Sequence, residues 1–345
     1  MQMSCPGNYQ VKTPRAWYNT PNLRPARFPD PMIAPFPTLP SLRGGGKRAL
    51  AQALALIETA RVTERLAGLL DAAAADPRAH VAGLTGPPGV GKSTLTNALI
   101  RDWRGKAETV GVIAVDPSSR ATGGALLGDR ARLSTDPDDK GVFVRSMAAR
   151  DRLGGLSDDT IAAVALMRAL FDRLLVESVG IGQSEADISF AADTVILCVQ
   201  PGSGDSLQFM KAGVMELPDI VVVTKADMGE VARRARSEVE GALTLFARDD
   251  DWTPPVVLVA APTGEGLADL HAALATHRAH LGQRRLLARR MAQEKAWVEE
   301  SIRSRFGTEG LRAAGGLAVT AAGPFGRERA IAERLRTALS GIPLD

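Results

Sequence analysis

Eight consecutive residues, Gly86-Pro87-Pro88-Gly89-Val90-Gly91-Lys92-Ser93, followed by Thr94, carry the clearest chemistry in the chain. The glycines let backbone N–H groups close around phosphate oxygens, and the ammonium of Lys92 can reach the outer phosphates of a nucleotide. The hydroxyl of Ser93 is the type of ligand that Mg²⁺ takes beside a phosphate. Such a loop works only between a strand that fixes its start and a helix whose positive N-terminal end faces the anion. The apolar run before the loop and the helix-compatible segment after it meet that requirement.

Three other carboxylates fall where a phosphate site can use them. Asp116 follows the apolar run 110–115, Glu177 closes the run 173–177, and Asp227 ends Thr224-Lys225-Ala226-Asp227 after the run 219–223. Acidic residues at strand ends beside a P-loop hold Mg²⁺, usually through water, and Gly180 offers an N–H that can sense a γ-phosphate. Asp227 can accept hydrogen bonds from the N1–H and 2-amino group of guanine, which adenine does not offer, while the stem of Lys225 lies over the ring. GTP is therefore expected over ATP, since a buried carboxylate left unpaired costs on the order of 1–3 kcal/mol.

These residues need a scaffold, and the pattern from residue 80 onward supplies one. Strand-like runs at 81–85, 110–115, 142–145, 173–177, 194–199, 219–224 and 256–260 alternate with segments mostly long enough for crossover helices. That alternation predicts an α/β fold of the P-loop NTPase type, a largely parallel sheet flanked by helices. Ligands in such sheets sit beyond the carboxyl ends of the strands. The expected organisation is a disordered Pro-rich tail at 1–46, an N-terminal helical segment at 47–79, a nucleotide domain at 80–280, a helical arm at 281–306 and an extension at 307–345 to which no chemistry is assigned. Leu287, Met291, Val298, Ile302 and Phe306, with Trp297 beside them, give the arm its apolar spacing.

Composition bounds the partners. The 42 basic and 39 acidic residues leave a net charge of +3, which argues against a dedicated nucleic-acid surface. Arg284-Arg285 and Arg289-Arg290 read as solvated helix faces, and His277 and His280 as surface residues near a helix end. Cys5 and Cys198 are far apart, so no disulfide is expected and a reducing compartment fits. No apolar stretch approaches the ~20 residues that span a bilayer. Residues 1–29 lack acids, as organellar targeting segments do, but nine prolines in the first forty residues oppose an amphipathic helix. A cytoplasmic protein is expected, with Met32 as a second candidate start.

The runs GPPGVGKST, AVDPSSRATGGALLGDRAR, LVESVGIGQSE, PGSGDSLQFMKAGVMELPDIVVVTKAD and DWTPPVV resemble the MeaB and MMAA proteins, also known as ArgK or lysine/arginine/ornithine transport kinases. The resemblance spans about residues 47–306. It implies a P-loop GTPase that acts as a chaperone of adenosylcobalamin-dependent methylmalonyl-CoA mutase and forms a homodimer through C-terminal helical arms. By the same resemblance Asp116, Asp129 and Glu177 belong to the Mg²⁺ and switch machinery. The loop from Gly202 to Lys211, with Asp205 and Lys211 at its charged positions, is a further switch that communicates with the mutase. The mutase, together with its adenosyltransferase, is the implied partner. Gln183 is a candidate for positioning water, and no cobalamin site is expected because no Asp-x-His-x-x-Gly pattern occurs. Two positions depart from the family pattern: Thr224 stands where Asn is usual, and Ala212 where better-known bacterial members carry a second Lys.

Two other functions compete. An ATP-dependent kinase of an amino-acid transport system would need a different base pocket, which Asp227 opposes. A metal-delivery GTPase would need a Cys-rich or His-rich motif; His80, His271, His277 and His280 form none evident in the sequence.

Overall fold

Apart from one edge strand, the strands of the sheet are buried along nearly their whole length, and the computed structural model shows why. Seven parallel strands form one sheet in the order β3-β2-β4-β1-β5-β6-β7. They are β1 (His80–Thr85), β2 (Val110–Asp116), β3 (Val142–Ala148), β4 (Arg173–Glu177), β5 (Thr194–Val199), β6 (Ile220–Thr224) and β7 (Val256–Val259). On β6, Ile220 and Val222 join a core with Leu95, Leu99 and Leu270, while Val221 and Val223 join a second core with Ala232, Val239 and Leu243. Strands covered on both faces read as continuous apolar runs, and all seven expected runs became strands. The structure describes residues 36–59, 62–116, 133, 135–149, 156–178, 185–202, 216–245, 251–315 and 323–341.

Seven α-helices are described: α1 (Leu39–Thr59), α2 (Glu64–Ala75), α3 (Lys92–Gly105), α4 (Asp158–Arg168), α5 (Glu230–Leu243), α6 (Leu267–Ala313) and α7 (Pro324–Ser340). All of these elements lie in the unit Pro37–Asp345. Thr63 and Ser157 cap α2 and α4 through their hydroxyls, and acidic first turns (Glu64; Asp158 and Asp159) match the helix dipole. None of the described helices is long and apolar enough to cross a membrane.

One boundary differs from expectation. The tail does not run to residue 46: helix α1 starts at Leu39 and passes through Gly44-Gly45-Gly46, kinking at Gly46 (φ 66°), because Leu39 and Leu42 are buried. The expected arm is the continuation of α6 past a kink at Gly282 (φ 52°), with another at Gly307. One face of that arm packs on its own chain. Gln293 donates to the carbonyls of Ser189 and Ala192, and Trp297 Nε1 donates to Asp158. Leu287 and Met291 remain exposed. Within the C-terminal extension, α7 docks on α2, where Asp71 accepts the Phe325 and Gly326 amides at 2.9 and 3.0 Å.

The amino end of the sheet corrects two further expectations. Arg289 and Arg290 are not a solvated face: each grips a fully buried carboxylate, Asp219 (3.2 and 2.8 Å) and Asp193 (2.8 and 2.6 Å) respectively. His277 is not at the surface but 1% exposed. Its Nδ1 lies 2.8 Å from Thr194 Oγ1, which also contacts His80 Nε2 at 2.7 Å. Helical spacing alone could not reveal this, since the partners come from β1, β5 and the residue before β6. Trp252 of the DWTPPVV run packs on His277 and His280 and donates to the Asp219 carbonyl.

The same device recurs along this edge. Asp172, Asp193 and Asp219 each directly precede a strand and each accepts, at 2.8 Å, an amide at the start of a neighbouring strand: Thr109, Val81 and Val195. These bonds fix the register at which the strands deliver their opposite ends.

Candidate functional site

Strand order decides which carboxylates meet the loop. With β2, β4 and β1 adjacent, Leu84 stands beside Glu177 and Ala114 beside Glu177 on the other side, so the ends of three strands converge. Between β1 and α3 the loop 86–91 folds tightly. Gly86 has φ 139°, and a Cβ there would sit 2.3 Å from the Cys198 carbonyl oxygen on β5, so no other residue fits. Gly91, at φ 106°, turns the chain into α3 and serves as its N-cap.

Lys92 is buried, and its ammonium donates to the carbonyls of Gly86 (2.7 Å) and Pro87 (3.2 Å). It therefore spans the loop that it would share with a phosphate. Ser93 Oγ donates to Glu177 Oε1 at 2.8 Å, and Thr96 Oγ1 donates to Glu177 Oε2 at 3.1 Å. Thr96 was not among the residues expected from the sequence, although its place one turn beyond Ser93 puts both hydroxyls on one helix face. Asp116 is 1% exposed at the end of β2. Ser93 and Glu177 meet through their hydrogen bond, Asp116 closes the adjoining strand β2, and all three offer oxygen atoms of the hard type that Mg²⁺ prefers. Among the described residues no group of three or more His, Cys, Asp or Glu could hold a metal ion, so phosphate oxygens and water would complete the coordination.

The base-reading segment lies at the end of β6. Thr224 does not present its hydroxyl to a base: Oγ1 contacts the Val90 carbonyl at 2.6 Å and the Val199 carbonyl at 3.1 Å, tying β6 to the loop and to β5. Lys225 takes a left-handed conformation (φ 55°) and its ammonium donates to Gln200 at 2.7 Å. Asp227 sits in a short 3₁₀ turn and is exposed rather than buried, so its carboxylate is open to a ligand. Beneath the loop, burial pushes the Cys198 thiol up to about 12, which makes it an inert neighbour of Lys92.

Residues 86–94, Glu177, Asp116, Thr224, Lys225 and Asp227 are thus gathered at one end of the sheet. Asp129, Gly180, Gln183, Asp205, Lys211 and Ala212 lie outside the described residues.

A family model described as methylmalonyl Co-A mutase-associated GTPase MeaB matches residues 50–313. The chain belongs to the MeaB family. A Mycobacterium tuberculosis protein with the name Probable GTPase is 40% identical over 272 residues, 76% of this chain and 81% of that protein. The mouse methylmalonic aciduria type A homolog, mitochondrial, is 32% identical over 286 residues, 76% of this chain and 69% of its own length. The crystal structure of a LAO/AO transport system kinase shares 27% identity and a TM-score of 0.63, covering 88% of this chain and 96% of that one. As a member of the MeaB family the chain is a P-loop GTP hydrolase.

Proposed function

We propose that this MeaB-family GTPase gates delivery of adenosylcobalamin to methylmalonyl-CoA mutase, or to a related acyl-CoA mutase, and protects that enzyme. The observation that carries the reading is the meeting of Lys92, Ser93 and Glu177 in one loop-and-helix cradle, on a chain whose family is mutase-associated.

In this reading the loop amides of residues 86–94 and the Lys92 ammonium hold the phosphates of GTP. Lys92 exchanges two neutral carbonyl partners for an anion, a trade favoured by charge-assisted bonding. Ser93, Asp116, Asp129 and Glu177 hold Mg²⁺, which when bound neutralises charge developing on the phosphate oxygens. Water is the nucleophile, and Gly180 and Gln183 belong to the segment that senses the γ-phosphate and places that water. Asp227 reads guanine, with Lys225 over the ring and Thr224 bracing the strand beneath them. Asp205 and Lys211 belong to a switch that the mutase orders, so slow intrinsic hydrolysis is accelerated by the partner. The arm after Gly282 forms a homodimer through the face carrying exposed Leu287 and Met291, and the adenosyltransferase is a further partner. The buried free thiol of Cys198 is in keeping with a cytoplasmic setting.

The name of the solved relative favours a second reading, an ATP-dependent kinase of an amino-acid transport system. One experiment separates the two: GTP and ATP turnover with and without purified cobalamin-dependent mutases. GTP preference and stimulation by one mutase are expected. Equal use of both nucleotides, or indifference to every mutase, overturns the chaperone reading.

A further inference from the structure

We propose that Thr96 is a positioning residue that holds the Glu177 carboxylate in the orientation needed at the Mg²⁺ site and so sets the metal affinity of the nucleotide-bound protein. The inference rests on the assignment of Ser93 and Glu177 to that site.

Helix α3 begins at Lys92, so Ser93 and Thr96, three residues apart, project from the same face. Their hydroxyls take different oxygens of one carboxylate, Ser93 on Oε1 and Thr96 on Oε2. The terminal torsion of a glutamate is broad, and a single bond leaves the carboxylate free to turn. Two donors on two oxygens remove that freedom.

The two bonds differ in how easily they exchange. Ser93 is partly exposed at the mouth of the loop, where a ligand arrives. Thr96 is 0% exposed and Glu177 4%, so no bulk water competes for the deeper bond. A threonine within a helix commonly spends its one hydroxyl proton on the carbonyl four residues back. Here the proton is spent instead on a carboxylate 81 positions away in sequence. The side chain is also β-branched, so its χ1 is stiff and the donor stays where the helix puts it. The outer bond is therefore available to incoming groups while the inner one keeps the carboxylate aimed. Supporting partners of this kind alter metal affinity by about 10- to 100-fold when removed.

The test is a calorimetric titration of MgCl₂ into the GDP-bound protein, run beside thermal unfolding and GDP binding in EDTA. Thr96→Val keeps the shape and removes the donor; it should weaken Mg²⁺ binding about 10-fold, leave GDP binding in EDTA within about twofold, and be rescued by Thr96→Ser. Thr96→Ala serves as a second removal should the valine variant not fold. If Glu177→Gln weakens Mg²⁺ binding while both Thr96 removals leave it within twofold, or lower only the melting temperature, the positioning role is overturned and the assignment of Glu177 stands. If Glu177→Gln binds Mg²⁺ as the wild type does, the assignment and the inference fall together.

Discussion

At the carboxyl end of the sheet Lys92 rests on two neutral carbonyl oxygens and Asp227 is exposed. At the amino end Asp193 and Asp219 are each held by a forked arginine and by the amide of the second residue of a neighbouring strand. Both ends bury polar groups, yet they do so for different purposes. At the nucleotide end the Lys92 ammonium sits on loop carbonyls that an anion can displace. The amino end closes its charges internally. Burial alone would raise the Asp219 carboxyl, but His277, whose Nε2 lies 3.4 Å from Oδ1, and the Arg289 charge outweigh it and hold the group at about 2. A cleft of about 620 Å³ also opens at the amino end, lined in part by Trp103, Arg173, His271 and Arg278, and it shares no residue with the phosphate loop.

The sharpest way to break this contrast is to remove one of the closed charges. Asp219→Ala leaves Arg289, His277 and the Val195 amide without their shared acceptor and should cost about 3–5 kcal/mol in denaturant unfolding, the penalty for opening a buried pair. A change under 1 kcal/mol would show that the amino end is not a closed network. Lys92→Ala should do the reverse, leaving the unfolding midpoint within a few degrees while lowering kcat about 10²- to 10³-fold, as loss of a transition-state donor does. Loss of stability equal to that of Asp219→Ala would erase the distinction between the two ends.

Protons probe the closed end. Burial holds His80 down to about 4, with the Asp193 charge opposing that shift. Because the folded value lies below the unfolded one, the unfolded chain binds the proton first. Stability from this group is complete above about pH 6.5 and is lost as pH falls toward 4, by about 3 kcal/mol in all. Comparing unfolding of wild type and His80→Asn between pH 7 and 4 isolates that slope; parallel curves would refute it. The smallest effect is expected at the open end. Thr224→Val removes the hydroxyl that braces the loop and should raise the KM for GTP by a few-fold, about 1 kcal/mol, without changing the preference over ATP, which in the proposed reading rests on Asp227. A swing toward ATP would give Thr224 a base-reading role.

Much of the fold was legible because all strands but the edge strand β3 are nearly continuous apolar runs, a signal that needs no long-range information. The loop, Glu177, Asp116 and Asp227 were legible for a related reason: each is tied by sequence to the end of such a strand. Thr96 was not, because a hydroxyl inside a helix looks the same whether it bonds its own turn or a distant carboxylate. Thr224 stands in the base motif, but its hydroxyl contacts the Val90 and Val199 carbonyls, partners set by the packing of the loop and β5 and not by the motif itself. His277 looked like a surface residue because helical spacing says nothing about the sheet that covers it. The aspartates that precede β4, β5 and β6 were a signal in plain view, since Asp172, Asp193 and Asp219 occupy equivalent positions.

The sequence by itself determined the phosphate loop, the seven strands and the carboxylates at their ends, since backbone freedom at glycine and two-sided burial are local properties. Only the tertiary structure decided which carboxylate meets Ser93, that Thr96 shares it, and that Arg289 and Arg290 lock the arm onto the sheet. Those outcomes depend on the order in which parallel strands lie side by side, and that order is set by packing between segments far apart in the chain.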